Sequence, residues 1–443
     1  MAAPVDSHAA VVAIDIGGSK YMVGICDARG AILCSRSYGW RGRTADEIVD
    51  QVADAVAGEL SSHPDLAARI VAGGVTIPGF ADPVRGIWVD SDYLPVHNLP
   101  ICDLLAERTG MPFFSDNDGN ACVLAEALFG GGRGLRDFLY ITVSSGIGGG
   151  VFLGGRLFYG ERLLSGEIGL TIVEPLPRPE ISGKIRGRLE AYGCTRGMAQ
   201  TFAELGGKID GEGPIGGLEI ARAAARGEAA ALETLGREGV YLGRAIAGAD
   251  ALIAPERVIV GGGISLMLDR FLEPLMDELH RIRPHTAARV EATPLGYGGA
   301  FLGAAACALR GMSGDARVLA GAGEGSVLTV RCETGHTFAT LSCAGREELA
   351  APGAGDLGGY LIAEGIDDRG VLLDDLLTAG DELYGAALGR ALAFACTLLD
   401  PETVHLAGKL GAARSHLEDV LLEAFWRDSF WARDEIPYRF IWS

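Results

Sequence analysis

Four short segments of this chain carry residue types and spacings that suit phosphoryl chemistry. The first is AIDIGGSK, Ala13–Lys20, in which a strand-like run ends in Asp15 and is followed by Gly17, Gly18, Ser19 and Lys20. Glycines there let backbone amides wrap phosphate oxygens, and a carboxylate at Asp15 can hold Mg2+ through water. A plain hairpin turn would use the same glycines. The second is SDNDGNACVLAE, Ser115–Glu126, which places Asn117 and Asp118 where a strand gives way to a helix. A single well-placed carboxylate, Asp118, is the candidate base for a hydroxyl attacking a γ-phosphate. Helix N-capping is the competing use of these two residues. The third is YITVSSGIGGG, Tyr140–Gly150, where Ser145 and Gly146 open a run of hydroxyls and glycines longer than a hairpin needs. It reads as a second phosphate cradle, with Ser145 toward the γ-phosphate. The fourth, VIVGGGISLML, sets Gly261, Gly262 and Gly263 between a buried strand and a helix, where adenine and ribose can approach the backbone. Any close strand-to-helix turn would look the same.

The elements that must position these segments follow from periodicity. Val11–Asp15, Tyr21–Asp27 and GAILCSRS predict three strands of an antiparallel meander, after about ten residues of loose tail. Ala45–Leu60 has helical spacing and an acidic first turn. A strand at Ile70–Ile77, a helix at Ile101–Thr109, a strand at Met111–Phe114 and a helix at Asn120–Phe129 complete a first cycle. A second cycle starts at Phe138–Val143 and returns through Val151–Leu153 and Arg156–Tyr159. It continues in a helical stretch from Leu218 to Ile253 and the strand Arg257–Val260. The simplest architecture is α/β, with two similar lobes about a nucleotide cleft.

Bulk properties narrow the function classes. The length of 443 residues predicts two or three domains. A net charge of -20 argues against a nucleic-acid surface, which needs clustered Lys and Arg. The chain shows no signal-like start and no run that reads as a bilayer span. Its nine cysteines are scattered without CxxC pairs, which fits reduced thiols and a cytoplasmic location.

In this order the four segments resemble the ROK family (repressors, ORFs and kinases), sugar kinases of the actin-like or ribonuclease-H-like ATPase fold. AIDIGGSK resembles the family's first phosphate motif, NDGNA its catalytic segment and SSGIGGG its second phosphate motif. GRLFYGERLLSGEIG, GKIRGRLEAYG and PLGYGGAFLGAAA also resemble the family, so the likeness covers roughly residues 11 to 310. It implies phosphoryl transfer from ATP with Mg2+ to a hexose or N-acetylhexosamine, with Asp118 as base. It also implies that Asn117, Glu167 and Glu190 bind sugar hydroxyls and that Gly79 lies in the loop closing over the sugar.

The sequence departs from the pattern in one region. The family's GEIGH reads GEIGL here, so Leu170 replaces a histidine that contacts sugar and zinc. The family's CxCGxxGC knot corresponds to ISGKIRGR, Ile181–Arg188, which has no cysteine. Leu, Ile and Arg cannot ligate zinc, and Cys194 alone makes no site, so no zinc is expected. The tail ahead of the first strand is too short for the helix-turn-helix of the family's repressors. Asp15, Asp118, both phosphate loops and both glutamates remain, which favours an active hexokinase-type, glucokinase-like enzyme. The rival is a catalytically silent sugar sensor or scaffold that keeps the fold.

About 130 residues follow the family pattern, enough for a small domain. Leu242–Leu279 aligns without gaps to Leu388–Phe425, sharing LGRA, LxPExV and a downstream amphipathic helix. Val327–Gly358 follows the course of residues 140–169 more loosely. The expected organisation is a first lobe at 1–120, a second at 121–310 whose last helix can return to the first, a Gly-rich linker at 311–326 and a decayed copy of the second lobe at 327–443. In that copy AGK, Ala407–Lys409, stands for the triple glycine and ETGHTF for the phosphate loop, so it is read as structural. The expected partners are sugar and ATP, with no nucleic acid or membrane, in a monomeric pseudo-dimer or a homodimer. The aromatic C-terminus, from Trp426 to Trp442, is expected to staple the tail to the body.

Overall fold

The computed structural model describes residues 8–91, 93–174, 187–208, 215–313, 325–333, 336–343, 346–347, 349, 354–357, 373–431 and 435–443. The chain forms two compact units, Met1–Leu135 with Thr293–Ala320, and Arg136–Ala292 with Gly321–Ser443.

In the first unit β1 (Ala10–Ile16), β2 (Lys20–Asp27) and β3 (Ile32–Gly39) form the expected meander, and β4 (Ile70–Ile77) joins β1 in parallel. Three short strands, β5 (Phe80–Asp82), β6 (Ile87–Asp90) and β7 (His97–Leu99), make a separate antiparallel sheet that sequence patterning did not anticipate. Then β8 (Phe113–Asn117) pairs with β4, giving the order β3-β2-β1-β4-β8. Successive side chains of β1 point to opposite faces, so its continuous apolar run serves two cores. Val12, Ile14 and Ile16 pack in the cluster that holds Ile48, Val52 and Leu105, while Val11 and Ala13 pack with Phe301, Ala304 and Ala308.

Those last residues lie on the helix Gly299–Ser313, which belongs to the first unit. A Cβ on Gly74 of β4 would collide with the Ala304 carbonyl, and one on Gly303 would press on Ala121, so this helix lies close on the sheet and on the helix Asp118–Phe129. The predicted boundary at 120/121 cuts that helix and is corrected to 135/136. The last helix of the expected second lobe does return to the first unit, which takes up the chain again from Thr293. Of the linker expected at 311–326, Gly311–Ser313 is helical, with Gly311 against the Phe114 ring; residues 314–324 lie outside the described residues.

In the second unit β9 (Phe138–Val143), β10 (Ile147–Leu153), β11 (Arg156–Phe158), β12 (Arg257–Gly261) and β13 (Arg289–Ala292) repeat the same order, β11-β10-β9-β12-β13. The stretch expected as one helix from Leu218 is two helices, Gly217–Ala225 and Ala229–Ile253, broken where Gly227 takes φ +81°. A third copy follows in β14 (Val327–Glu333), β15 (His336–Cys343), β16 (Arg346–Glu347), β17 (Thr403–Ala407) and β18 (Arg439–Trp442), ordered β16-β15-β14-β17-β18. All three sheets combine an antiparallel meander with two parallel strands.

The gapless alignment of Leu242–Leu279 with Leu388–Phe425 is visible in the backbone. The helix Ala229–Ile253 ends in Ala254 at φ 43°, and its counterpart Leu373–Leu399 ends before Asp400 at φ 45°. Gly243 approaches the Leu275 carbonyl just as Gly389 approaches that of Leu421. The copies also touch reciprocally: Gly166 N–H donates to the Leu398 carbonyl and Gly355 N–H to the Leu252 carbonyl, each at 2.9 Å. Equivalent residues meeting across one contact is the mark of an isologous, two-fold-like interface. One core runs through both, from Leu139 and Ile141 to Leu406 and Tyr438, and Trp426, Trp431 and Trp442 pack against it. One described helix segment, Glu382–Leu399, is long and apolar enough to cross a membrane, against the sequence expectation of none; 78% of it is buried, as in a core helix. All nine cysteines are free.

Candidate active site

In the first unit the residues singled out by sequence gather at the C-terminal ends of β1, β4 and β8. Asp15 ends β1 beside Thr76 of β4, its register partner, and accepts the Thr76 hydroxyl at 2.9 Å. Burial pushes the Asp15 carboxyl up, against the Thr76 hydrogen bond and the charge of Lys20. The turn that follows is closed by Gly17 N–H donating to the Lys20 carbonyl at 2.9 Å, and the Trp40 indole donates to the Gly17 carbonyl at 3.0 Å. Ser19 and Lys20 are exposed there. A Cβ on Gly18 would press on Tyr93 at 3.0 Å. The segment read as a first phosphate loop is thus the turn of the β1–β2 hairpin.

Asn117 is the N-cap of the helix Asp118–Phe129: its side chain accepts the Asn120 amide at 2.8 Å. The capping use thus belongs to Asn117. Asp118, the first helical residue, accepts the neighbouring Gly119 N–H at 2.9 Å. Protein packed around Asp118, and then the charge of Asp15, push its pKa up to about 6. The residue itself is exposed to solvent at the start of the helix. Asp116 accepts the Asn117 and Asn120 donors and an ion pair from Arg310 at 3.5 Å, which fixes the turn just before the helix. Gly79 follows β4 at φ +98°, where a Cβ would meet the Asp90 carbonyl at 2.3 Å, so only glycine suits this entry into the β5–β7 sheet. The buried Trp88 holds that sheet to the β4 end by donating to the Pro78 carbonyl at 3.1 Å.

In the second unit Ser145 and Gly146 form the β9–β10 turn, and Ser145 is exposed. The turn is anchored from behind: Thr195 donates its N–H and hydroxyl to the Ser144 carbonyl, both at 2.8 Å. Glu190, on the helix Leu189–Gly193, accepts the Ile147 N–H at 3.0 Å, so this carboxylate is tied to the same hairpin. Glu167 lies between Gly166, at φ +90°, and the turn Ile168–Leu170. A Cβ on Gly169 would strike the Ile147 carbonyl, which packs the Gly-Glu-Ile-Gly segment onto β10. The structure thus brings Ser145, Glu190 and the Glu167 segment to one hairpin. Gly261–Gly263 follow β12; a Cβ on Gly262 would lie 2.3 Å from the Val143 carbonyl, and Ser265 donates to the Gly262 carbonyl at 2.7 Å.

Sequence reasoning missed Thr76, which positions Asp15; its place on the parallel neighbour of β1 was the available signal. It also missed Glu238, which is buried beside Gly193 with neither carboxyl oxygen hydrogen-bonded among the described residues. The knot region at Ile181–Arg188 lies outside the described residues apart from Gly187 and Arg188. Cys194 is buried in the same unit. Among the described residues Cys34, Glu59 and His63 lie close enough to share a metal ion, but Glu59 is already engaged by Arg36 and Tyr38.

Sheets of this order, two of them with a glycine-bearing hairpin after the first strand, define the actin-like, two-lobed α/β kinase fold. Residues 11–310 match the ROK family. A glucokinase of Thermotoga maritima is 32% identical over 309 residues, 67% of this chain and 96% of its own. A ROK family glucokinase of Streptomyces griseus, solved with glucose and AMPPNP, superposes with a TM-score of 0.58 at 28% identity, over 68% of this chain and 99% of its own. The DNA-binding transcriptional repressor Mlc of Escherichia coli is 25% identical over 267 residues, 60% of this chain and 65% of its own. The chain belongs to the ROK family.

Proposed function

We propose that the chain is an ATP-dependent sugar kinase that phosphorylates a hexose or N-acetylhexosamine at its C6 hydroxyl. The observation that carries this reading is the placing of Asp118: an exposed carboxylate on the first turn of the helix that Asn117 caps, under the charge of Asp15, with its pKa raised to about 6. A base with that value is ionised at neutral pH and still basic enough to share a hydroxyl proton in the transition state.

Asp118 takes the proton of the sugar hydroxyl as its oxygen bonds to the γ-phosphorus, and the bond to the β–γ bridging oxygen breaks to release ADP. Little covalent work falls to the protein, so orientation and charge placement dominate. Asn117, Glu167, Glu190 and the Gly79 loop are assigned to the sugar. Gly17, Gly18, Ser19, Lys20, Ser145 and Gly146 are assigned to the phosphates, and Gly261–Gly263 to the nucleoside. The charge of Asp15 raises the cost of ionising Asp118, and a carboxylate such as Asp15 is a donor that suits a hard dication. Asp15 would hold a Mg2+ ion, which would supply neutralisation of phosphate charge. ATP use is supported by the AMPPNP complex of the Streptomyces griseus relative.

A second reading, a silent sugar sensor, is favoured by Leu170 at the position of the family's sugar-contacting histidine and by the kinship with a repressor. A coupled ADP-release assay separates the two. Its panel holds glucose, mannose, fructose, allose, N-acetylglucosamine and N-acetylmannosamine. Sugar-dependent release establishes the kinase; a sugar-induced thermal shift without release establishes the sensor.

A further inference from the structure

The segment that carries Glu167 is held by the C-terminal copy and not only by its own lobe. Asp400 is buried, and its carboxylate accepts the backbone N–H groups of Arg162 and Leu164. Its other oxygen accepts the Arg162 guanidinium at 2.9 Å, and that guanidinium also donates to the Pro401 carbonyl at 3.0 Å. The Asp400 carbonyl takes the Glu161 N–H at 2.8 Å. Two residues earlier, the Leu398 carbonyl takes the Gly166 N–H at 2.9 Å and the Ser165 hydroxyl at 2.8 Å. Glu161 in turn accepts Ser326 N–H and hydroxyl at 3.2 and 3.0 Å. Every residue from Glu161 to Gly166 except Leu163 is thus hydrogen-bonded to the C-terminal copy, and Glu167 comes next.

The second assigned glutamate has a similar neighbour. Arg188, two residues before Glu190, stacks over the Phe430 ring at 4.9 Å, and Arg162 stacks over Tyr438 at 5.0 Å. The terminal aromatics therefore touch the two arginines that flank the sugar-assigned segments.

The internal symmetry separates fold maintenance from something more specific. The Gly166–Leu398 hydrogen bond has a twin in Gly355–Leu252, so that pair belongs to the shared interface. The counterpart of Asp400 is Ala254, which has the same backbone conformation and no carboxylate. Among the described residues the carboxylate clamp is on the side that carries Glu167. On the other side Asp356, the counterpart of Glu167, is taken up by an ion pair with Arg283 and lies against the His336 ring.

We propose that Asp400 is a positioning residue for sugar binding: the C-terminal copy acts as a resident partner subunit whose carboxylate clamps Glu161–Gly166 and thereby sets Glu167. The inference rests on the kinase reading only for the ligand that Glu167 meets. Loss of the clamp loosens a group that contacts sugar before and during reaction, which raises KM more than it lowers kcat.

The test uses the full chain with Asp400→Ala and Asp400→Asn. Ala254 shows that alanine tolerates this backbone conformation, and asparagine keeps an acceptor oxygen as the conservative rescue. With the sugar identified by the panel, Asp400→Ala should raise the sugar KM about tenfold while kcat and the ATP KM change less than about threefold. Asp400→Asn should recover most of that loss. Hydrogen exchange of peptides spanning 160–170 should quicken in Asp400→Ala, with the exchange of β9 and β12 unchanged. An unaltered sugar KM in an active Asp400→Ala enzyme would overturn the proposal and leave the kinase reading standing. If the wild-type chain turns over no sugar, the kinase reading fails on its own. Exchange then decides the clamp: quickened exchange at 160–170 supports it and unchanged exchange overturns it.

Discussion

Gly248 and Phe394 occupy the same position in the two aligned copies, and they touch each other. A Cβ on Gly248 would lie 2.5 Å from the Phe394 ring, so the glycine provides the space that the phenylalanine fills. Two equivalent residues in contact mark the axis about which the copies are related, and that axis lies inside one chain. The helix face around Gly248 is therefore covered from within the same chain.

Light scattering after size exclusion should accordingly give the mass of one chain. Gly248→Leu should destabilise the second unit by about 1–3 kcal/mol through overpacking, read as a lower melting temperature. A dimer joined through the helix Ala229–Ile253 would contradict the pseudo-dimer, as would an unchanged melting temperature in Gly248→Leu.

Removing the hydroxyl that supports Asp15 should show in nucleotide use. Thr76→Val keeps shape and burial while the carboxylate loses its 2.9 Å donor. The expected cost is about 1–2 kcal/mol, seen as a five- to thirtyfold loss in kcat/KM for MgATP. Wild-type kinetics in this variant would mean that Thr76 serves only β4.

Much of this arrangement was legible in the sequence because its signals are local. A strand, two glycines and a carboxylate are read off consecutive residues, and the LGRA and LxPExV pairs exposed the third copy without any structure. What stayed hidden depends on pairing between distant residues. Arg162 and Asp400 stand far apart in the chain, and neither is unusual where it stands. The β5–β7 sheet has strands too short and too interrupted by Pro83, Gly86 and Pro95 to show alternation. The 120/121 boundary failed because a helix of Ala, Val and Leu gives no hint of which sheet it covers until Gly303 is seen against Ala121.

Glu238 predicts a pH effect on stability. Burial raises its carboxyl well above the ordinary 4.5, with no hydrogen-bond donor to offset it among the described residues. The folded chain thus keeps a proton that the unfolded chain releases above 4.5, so the stabilising contribution is full below that pH and is lost as pH rises toward the folded value. Glu238→Gln removes the titration. It should melt at a higher temperature than wild type at pH 8, with the gap shrinking toward pH 4. A gap that grows on acidification would contradict the burial of a neutral carboxyl.

As the proposed base, the Asp118 carboxyl should set the acid limb of activity. Its pKa is raised to about 6, and the base works only when deprotonated, so kcat/KM for the sugar should fall as pH drops through about 6. A flat profile down to pH 5 would remove Asp118 from that role.

The central claim is that Asp118 transfers the proton in sugar phosphorylation. The most direct measurement is sugar-dependent ADP release by Asp118→Asn beside the wild-type chain, with sugar affinity followed in parallel by thermal shift. Turnover should fall by about two to four orders of magnitude while affinity stays close to wild type. Turnover at the wild-type rate in Asp118→Asn would contradict the account.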